Sequence, residues 1–166
     1  MFVSQFRIKG ASMKPSNIQI LLLRLVLGVL FAHLSMGKIH DGWLSNAEPI
    51  RQSLTNFQKN AGGIQLYYIE HVAMPYTGFW AKLITVGEAC LAISFILGLL
   101  VRLSSAAGIF MVLNLHAATG NLFSWDFFSS PWAALLVTGF LILNLARAGR
   151  WVGLDALWPN SNGMLW

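Results

Sequence analysis

IQILLLRLVLGVLFAHLSMGKI, residues 18–39, carries two charged side chains, Arg24 and Lys38, in a run long enough to cross a bilayer. The hydrocarbon core is roughly 30 Å thick and takes about 20 helical residues. Three further apolar stretches follow, Phe79–Val101, Leu103–Leu122 and Pro131–Ala146. None shows the strict alternation of barrel strands, so the backbone must satisfy its own hydrogen bonds as helices. The sequence therefore predicts an all-α membrane protein, a four-transmembrane-helix bundle. The last stretch is short, near the lower limit of roughly 17 residues for crossing, unless Phe127 and Phe128 extend it.

Composition agrees. The 166 residues are 56% hydrophobic and 10% charged, with a mean hydropathy of +0.62, whereas soluble domains carry about a quarter charged residues. The length holds one integral membrane domain, residues 1–166. The net charge of +5 is spread over single basic residues flanking apolar runs, a membrane pattern that argues against nucleic acid as partner. The one cysteine, Cys90, excludes an internal disulfide and a cysteine-based metal cluster. Arg7, Lys9 and Lys14 before the first run resemble a signal peptide, but the run is too long and has no small-residue cleavage site, so it is expected to remain as the first span.

Arg7, Lys9, Lys14, Arg102, Arg147 and Arg150 fall on one side of a four-span chain, which the positive-inside rule makes the cytoplasm, with both termini there. A cytoplasmic (inner) membrane is the expected location. Lys38, Arg51, Lys59 and Lys82 lie on the other side, but the loop Thr119–Ser130 has no basic residue. Trp43, Trp80, Trp125 and Trp132 mark the outer boundary, and Trp151, Trp158 and Trp166 follow the last span.

The outer segment 40–78 is long for a connection. Ile50, Leu54 and Phe57 recur at helical spacing among Arg51, Gln52 and Lys59, and Gly62-Gly63 closes the pattern. This predicts an amphipathic outer helix lying on the membrane face. Thr77 and Ser130-Pro131 give start signals for the second and fourth spans.

Ionisable groups at membrane depth are costly unless paired or hydrated, which makes them functional candidates. From the cytoplasmic ends, Arg24 lies roughly 9 Å deep, and Glu88, His33 and His116 share a level at roughly 20 Å. Arg24, Gly28, Phe31, Ser35 and Lys38 form one stripe of the first helix, with His33 opposite. Glu88 shares a stripe with Ile84, Ala92, Phe95 and Arg102, and His116 with Ser105, Ile109, Val112 and Thr119. Arg24 is expected to reach toward Glu88 in the bundle interior. Lys38 and Arg102, at span ends, are read as snorkelling groups or as members of a structural ion pair or interface. His33, excluded from that interior, is expected to face a partner subunit, a second copy of the chain or a cofactor.

Arg24-Leu-x-x-Gly28-x-x-Phe31 ending in Gly37-Lys38, then Gly87-Glu88 followed by Leu97-Gly98-Leu-Leu-x-Arg102, then Gly153-Leu154-Asp155, together resemble the DoxX/DoxD family, in particular its DoxD-like members. The resemblance runs from Arg24 to Asp155. It implies a four-span subunit of a membrane redox complex that passes electrons to quinone, of the thiosulfate:quinone oxidoreductase type in the DoxD case. Membership fixes fold better than chemistry.

Two functions follow. As a quinone-interacting subunit, the chain needs an apolar cleft, donors for two carbonyl oxygens and a proton source: Arg24, His116 and Glu88 form that set, with Glu88 as proton relay. With no redox-metal ligand set or nucleotide motif in the sequence, such an oxidoreductase needs a partner chain. As a non-catalytic anchor or scaffold, the chain uses a buried ion pair to fix helix register and its outer helix to dock another protein. A haem b held by His33 and His116 is a third reading, disfavoured by their divergent faces. Transport is disfavoured too, since no span is broken at mid-depth by proline or paired glycines.

Overall fold

The computed structural model describes residues 15–120, 122, 131–149 and 153–157. Arg7, Lys9, Lys14, Arg150, Trp125, Phe127, Phe128, Ser130, Trp151, Trp158 and Trp166, together with most of the Thr119–Ser130 loop, lie outside the described residues. Among the described residues all regular structure is helical.

Helix α1 spans Pro15–His40, its first position occupied by proline, whose missing N–H costs a helix nothing there. Its 26 residues extend roughly 39 Å. Arg24, Leu27, Phe31 and Ser35 are buried along one face, while Leu22, Val26, Val29 and Met36 are exposed on the other, the division that the stripe predicts. After a short turn, α2 (Glu48–Gln58) starts with Pro49 in its first turn and Asn46 accepting the Glu48 N–H at 2.9 Å. Helix α3 (Gly63–Tyr68) continues into a π-helical turn, Ile69–Ala73. Helices α4 (Thr77–Leu97), α5 (Val101–Thr119) and α6 (Pro131–Leu145) complete the apolar set, and a short 3₁₀ turn follows at Leu154–Leu157.

Helices α1, α4 and α5 are long and apolar enough to cross a membrane; α6 is apolar but shorter. Helix α1 packs along α4, α5 packs along α6, and α4 touches α5. The α1–α4 approach is close because of Gly28: a Cβ there would lie 2.9 Å from the Ile96 side chain and 3.2 Å from its backbone nitrogen. Phe31, Phe95 and Phe140 join α1, α4 and α6 through ring contacts at 5.6 and 5.8 Å. Helix α4 ends at Leu97, capped by Gly98, and α5 begins at Val101, so the two helices are joined by a very tight turn.

The outer segment differs from its sequence reading. Gly62-Gly63 does not close the amphipathic helix, which ends at Gln58; Gly63 opens a second helix. Helix α2 has one face packed against protein. Its Ile50 and Leu54 pack with Ile69, Ala73, Ala81 and Ala118 into a second apolar cluster, so α2, α3 and the π turn form a cap over one end of α4 and α5. The Gln65 amide donates to the Ala118 carbonyl at 3.1 Å and the Trp80 indole to the Val72 carbonyl at 3.0 Å, tying the cap down at two points.

Candidate functional site

Beneath the cap lies a cavity of about 280 Å³, close to the lower bound of roughly 300 Å³ for small-molecule pockets. Most of its lining is apolar or aromatic, including Phe31, Trp43, Leu54, Trp80, Ile84 and Met111. Two polar pairs interrupt it. At one wall the Lys38 ammonium donates to Glu88 Oε1 at 2.8 Å and Oε2 at 2.7 Å, with the ammonium 5.6 Å from the Trp43 ring. Glu88 is 7% exposed, and a carboxylate so enclosed needs a cation and full hydrogen bonding to remain charged. At another wall the Tyr68 hydroxyl donates to Asn114 Oδ1 at 2.9 Å, and Asn114 Nδ2 donates to the Phe110 carbonyl at 2.8 Å. Burial pushes the Tyr68 phenol above its ordinary value of 10.0, so it is protonated throughout the physiological range.

Arg24 is not the partner of Glu88. It is 2% exposed, its Nη1 donates to the Ala148 carbonyl at 3.1 Å, and its charge interacts with Asp155. Distance along the helix explains the difference: Arg24 lies fourteen positions before Lys38, roughly 21 Å along the axis, at the α4–α5 turn end rather than beneath the cap. Lys38 does not snorkel away from the apolar interior either; its stripe, shared with Phe31 and Ser35, points it into the cavity.

His116 is half-buried, with Nδ1 2.8 Å from the Val112 carbonyl of its own helix, and does not line the cavity. Arg102 is half-buried at the start of α5, where its carbonyl accepts from Asn144 Nδ2 at 2.9 Å. His33 is exposed on the face of α1 turned away from the other helices, as its position opposite Ser35 requires.

The profile of the DoxX family matches residues 19–120, which contain Lys38, Glu88, Tyr68, Asn114 and every described element of the cavity but one, Leu136 of α6. The chain belongs to the DoxX family. No curated protein and no solved structure matches it. In this DoxX protein the sequence reading singles out Glu88 and names Lys38 as a possible ion-pair member without pairing the two, but it misses Tyr68 and Asn114. The stripe through Phe31 and Ser35 carried the signal for Lys38. Tyr68 had none: it sits at the junction of an α-helix and a π turn, where a 3.6-residue period does not predict facing. Asn114 stands two positions before His116 and is therefore turned away from it, and that direction is the one facing the cavity.

Proposed function

We propose that this DoxX protein is the membrane subunit of a redox complex and interacts with quinone, in the manner of the DoxD-like, thiosulfate:quinone oxidoreductase type. The observation that carries the reading is the cavity beneath the cap, apolar on most of its surface and holding the enclosed Lys38–Glu88 pair. A cavity of roughly 150 Å³ already admits benzene, so about 280 Å³ accommodates a planar head group, with a polyprenyl tail left to the bilayer. Reduction of a quinone adds two electrons and two protons. The electrons come from a redox centre on a partner chain; Lys38 stabilises the charge developing on a carbonyl oxygen, and Glu88 relays protons. Arg24 and His116, which do not line the cavity, are replaced in this reading by Lys38. Haem b finds no comparable support, since His33 lies on the exposed face of α1.

The same reading places the protein in the cytoplasmic membrane as a four-span chain, N- and C-termini inside and cap outside, with a partner subunit or a second copy along the His33 face of α1. The alternative is a non-catalytic anchor or scaffold, favoured by the completeness of the Lys38–Glu88 pairing, which suffices to fix the register of α1 against α4. Lipid extraction of the purified complex separates the two. Quinone retained by the native chain and lost in Lys38→Met is the expected result; a stoichiometric partner protein with no quinone in either preparation would establish the scaffold instead.

A further inference from the structure

Counting donors in the cavity leaves two unused. The Lys38 ammonium has three N–H groups, of which two serve the Glu88 oxygens. The orientation of the Asn114 carboxamide is fixed from both sides: the Phe110 carbonyl can only accept, so Nδ2 faces it, and the Tyr68 hydroxyl then donates to Oδ1. An amide nitrogen carries two N–H groups, so one remains. Lys38 on α1 and Asn114 on α5 line the same largely apolar cavity and are both half-buried, so each spare donor is open to a ligand that enters it.

We propose that Lys38 and Asn114 each donate to one of two separated acceptor oxygens on a single planar ligand, with Tyr68 positioning the Asn114 amide; this rests on the quinone reading above and names Asn114 as its second anchor. The chemistry selects para-quinones. A ring with carbonyl oxygens at opposite ends satisfies both donors and lies against aromatic walls, whereas a fatty acid or other single-headed lipid satisfies the Lys38 end alone.

The test uses the full-length chain in lipid nanodiscs, with decylubiquinone ¹³C-labelled at one ring carbonyl or the other. Binding is followed by quenching of tryptophan fluorescence, since Trp43 and Trp80 line the cavity. Infrared difference spectra report each carbonyl. In the native protein both carbonyl bands are shifted by hydrogen bonding. Asn114→Leu weakens binding about tenfold, the loss of one hydrogen bond with its desolvation, and returns one band to its unbonded frequency; Lys38→Met returns the other. Tyr68→Phe keeps the ring but frees the amide, and should broaden the Asn114 band without moving the Lys38 band, which guards against misfolding of the leucine variant. If Asn114→Leu and Tyr68→Phe leave affinity and both bands unchanged while Lys38→Met weakens binding, the second anchor is refuted and the quinone reading stands. If the native protein does not bind decylubiquinone, both fall.

Discussion

Asp155 caps the start of α5 by accepting the Leu100 N–H at 2.7 Å and the Val101 N–H at 3.3 Å, while its own N–H donates to the Gly98 carbonyl at 3.1 Å. A residue after the last apolar helix thus holds both sides of the turn between α4 and α5. First-turn N–H groups have no helical acceptor, and a carboxylate also suits the positive helix end. Replacing it by alanine removes the cap and the negative charge facing Arg24. Asp155→Ala is expected to destabilise the folded protein by about 2 kcal/mol, and Asp155→Asn by less, since an amide oxygen still accepts. Unfolding in mixed micelles by increasing denaturing detergent measures the order; equal losses would show that the charge, not the cap, matters.

Gly98 tests the same turn from the other side. Its φ is +68°, and an added Cβ would lie 2.5 Å from Arg24 Nη1 and 2.6 Å from the Gly153 Cα. Both the left-handed backbone and the crowding disfavour any side chain. Gly98→Ala should cost about 2–3 kcal/mol, more than the ~1 kcal/mol of an ordinary glycine-to-alanine change at positive φ, because the Arg24 guanidinium and a backbone segment must both move. Combining it with Arg24→Met should reduce the penalty. A double variant no more stable than additivity allows would remove Arg24 from the contact.

The apolar helices were legible in the sequence because lipid imposes a long unbroken apolar run that few other constraints can mimic. The face of α1 was legible for a related reason: Arg24, Gly28, Phe31 and Ser35 are the residues that lipid would tolerate least or that a close neighbour needs most. Pairing was not legible. Two cations, Arg24 and Lys38, share the stripe, and only the relative level of α1 and α4 decides which meets Glu88; that level is set by Gly28 nesting against Ile96, a contact no periodicity reveals. The cap was half legible. Ile50 and Leu54 announced α2, but the glycine pair that ends an amphipathic pattern in one context begins a helix in another, and the π turn that presents Tyr68 leaves no mark in composition.

The Lys38–Glu88 pair sets a third prediction. Removing one member leaves the other charge enclosed in apolar surroundings, whereas removing both leaves a neutral site. Lys38→Met and Glu88→Leu should each destabilise by about 3 kcal/mol, and the double variant should recover most of that loss in a double-mutant cycle. Glu70→Gln is the control, because Glu70 is exposed and, among the described residues, its side chain bonds the Gln58 amide at 3.1 Å; exposed pairs of this kind contribute about 0–1 kcal/mol. Additive losses for Lys38 and Glu88 would mean that each is held by something else.

The final prediction concerns which side of the membrane the cap occupies. Two described features bear on it. The turn at Gly98–Leu100 is followed by Arg102, and Arg147 follows α6 at the same end of the molecule, so basic residues gather where Arg24 and Asp155 meet; the positive-inside rule assigns that end to the cytoplasm. Lys38, the cation that would argue otherwise, is neutralised by Glu88 and turned inward, which removes it from the count. Arg51 and Lys59 in the 40–78 segment and Lys82 in the second turn of α4 are the basic residues at the cap end, and labelling from one side decides between the two ends. After replacement of Cys90, the exposed free cysteine, a Ser45→Cys variant beside the cap should react with a membrane-impermeant maleimide in intact cells, and a Ser104→Cys variant beside the turn only after the membrane is opened. Ser45 is exposed and Ser104 half-buried, so the comparison is made as the ratio of labelling before and after permeabilisation for each site. A ratio near one at Ser104 and near zero at Ser45 would invert the orientation and place the cavity beneath the cap on the cytoplasmic side.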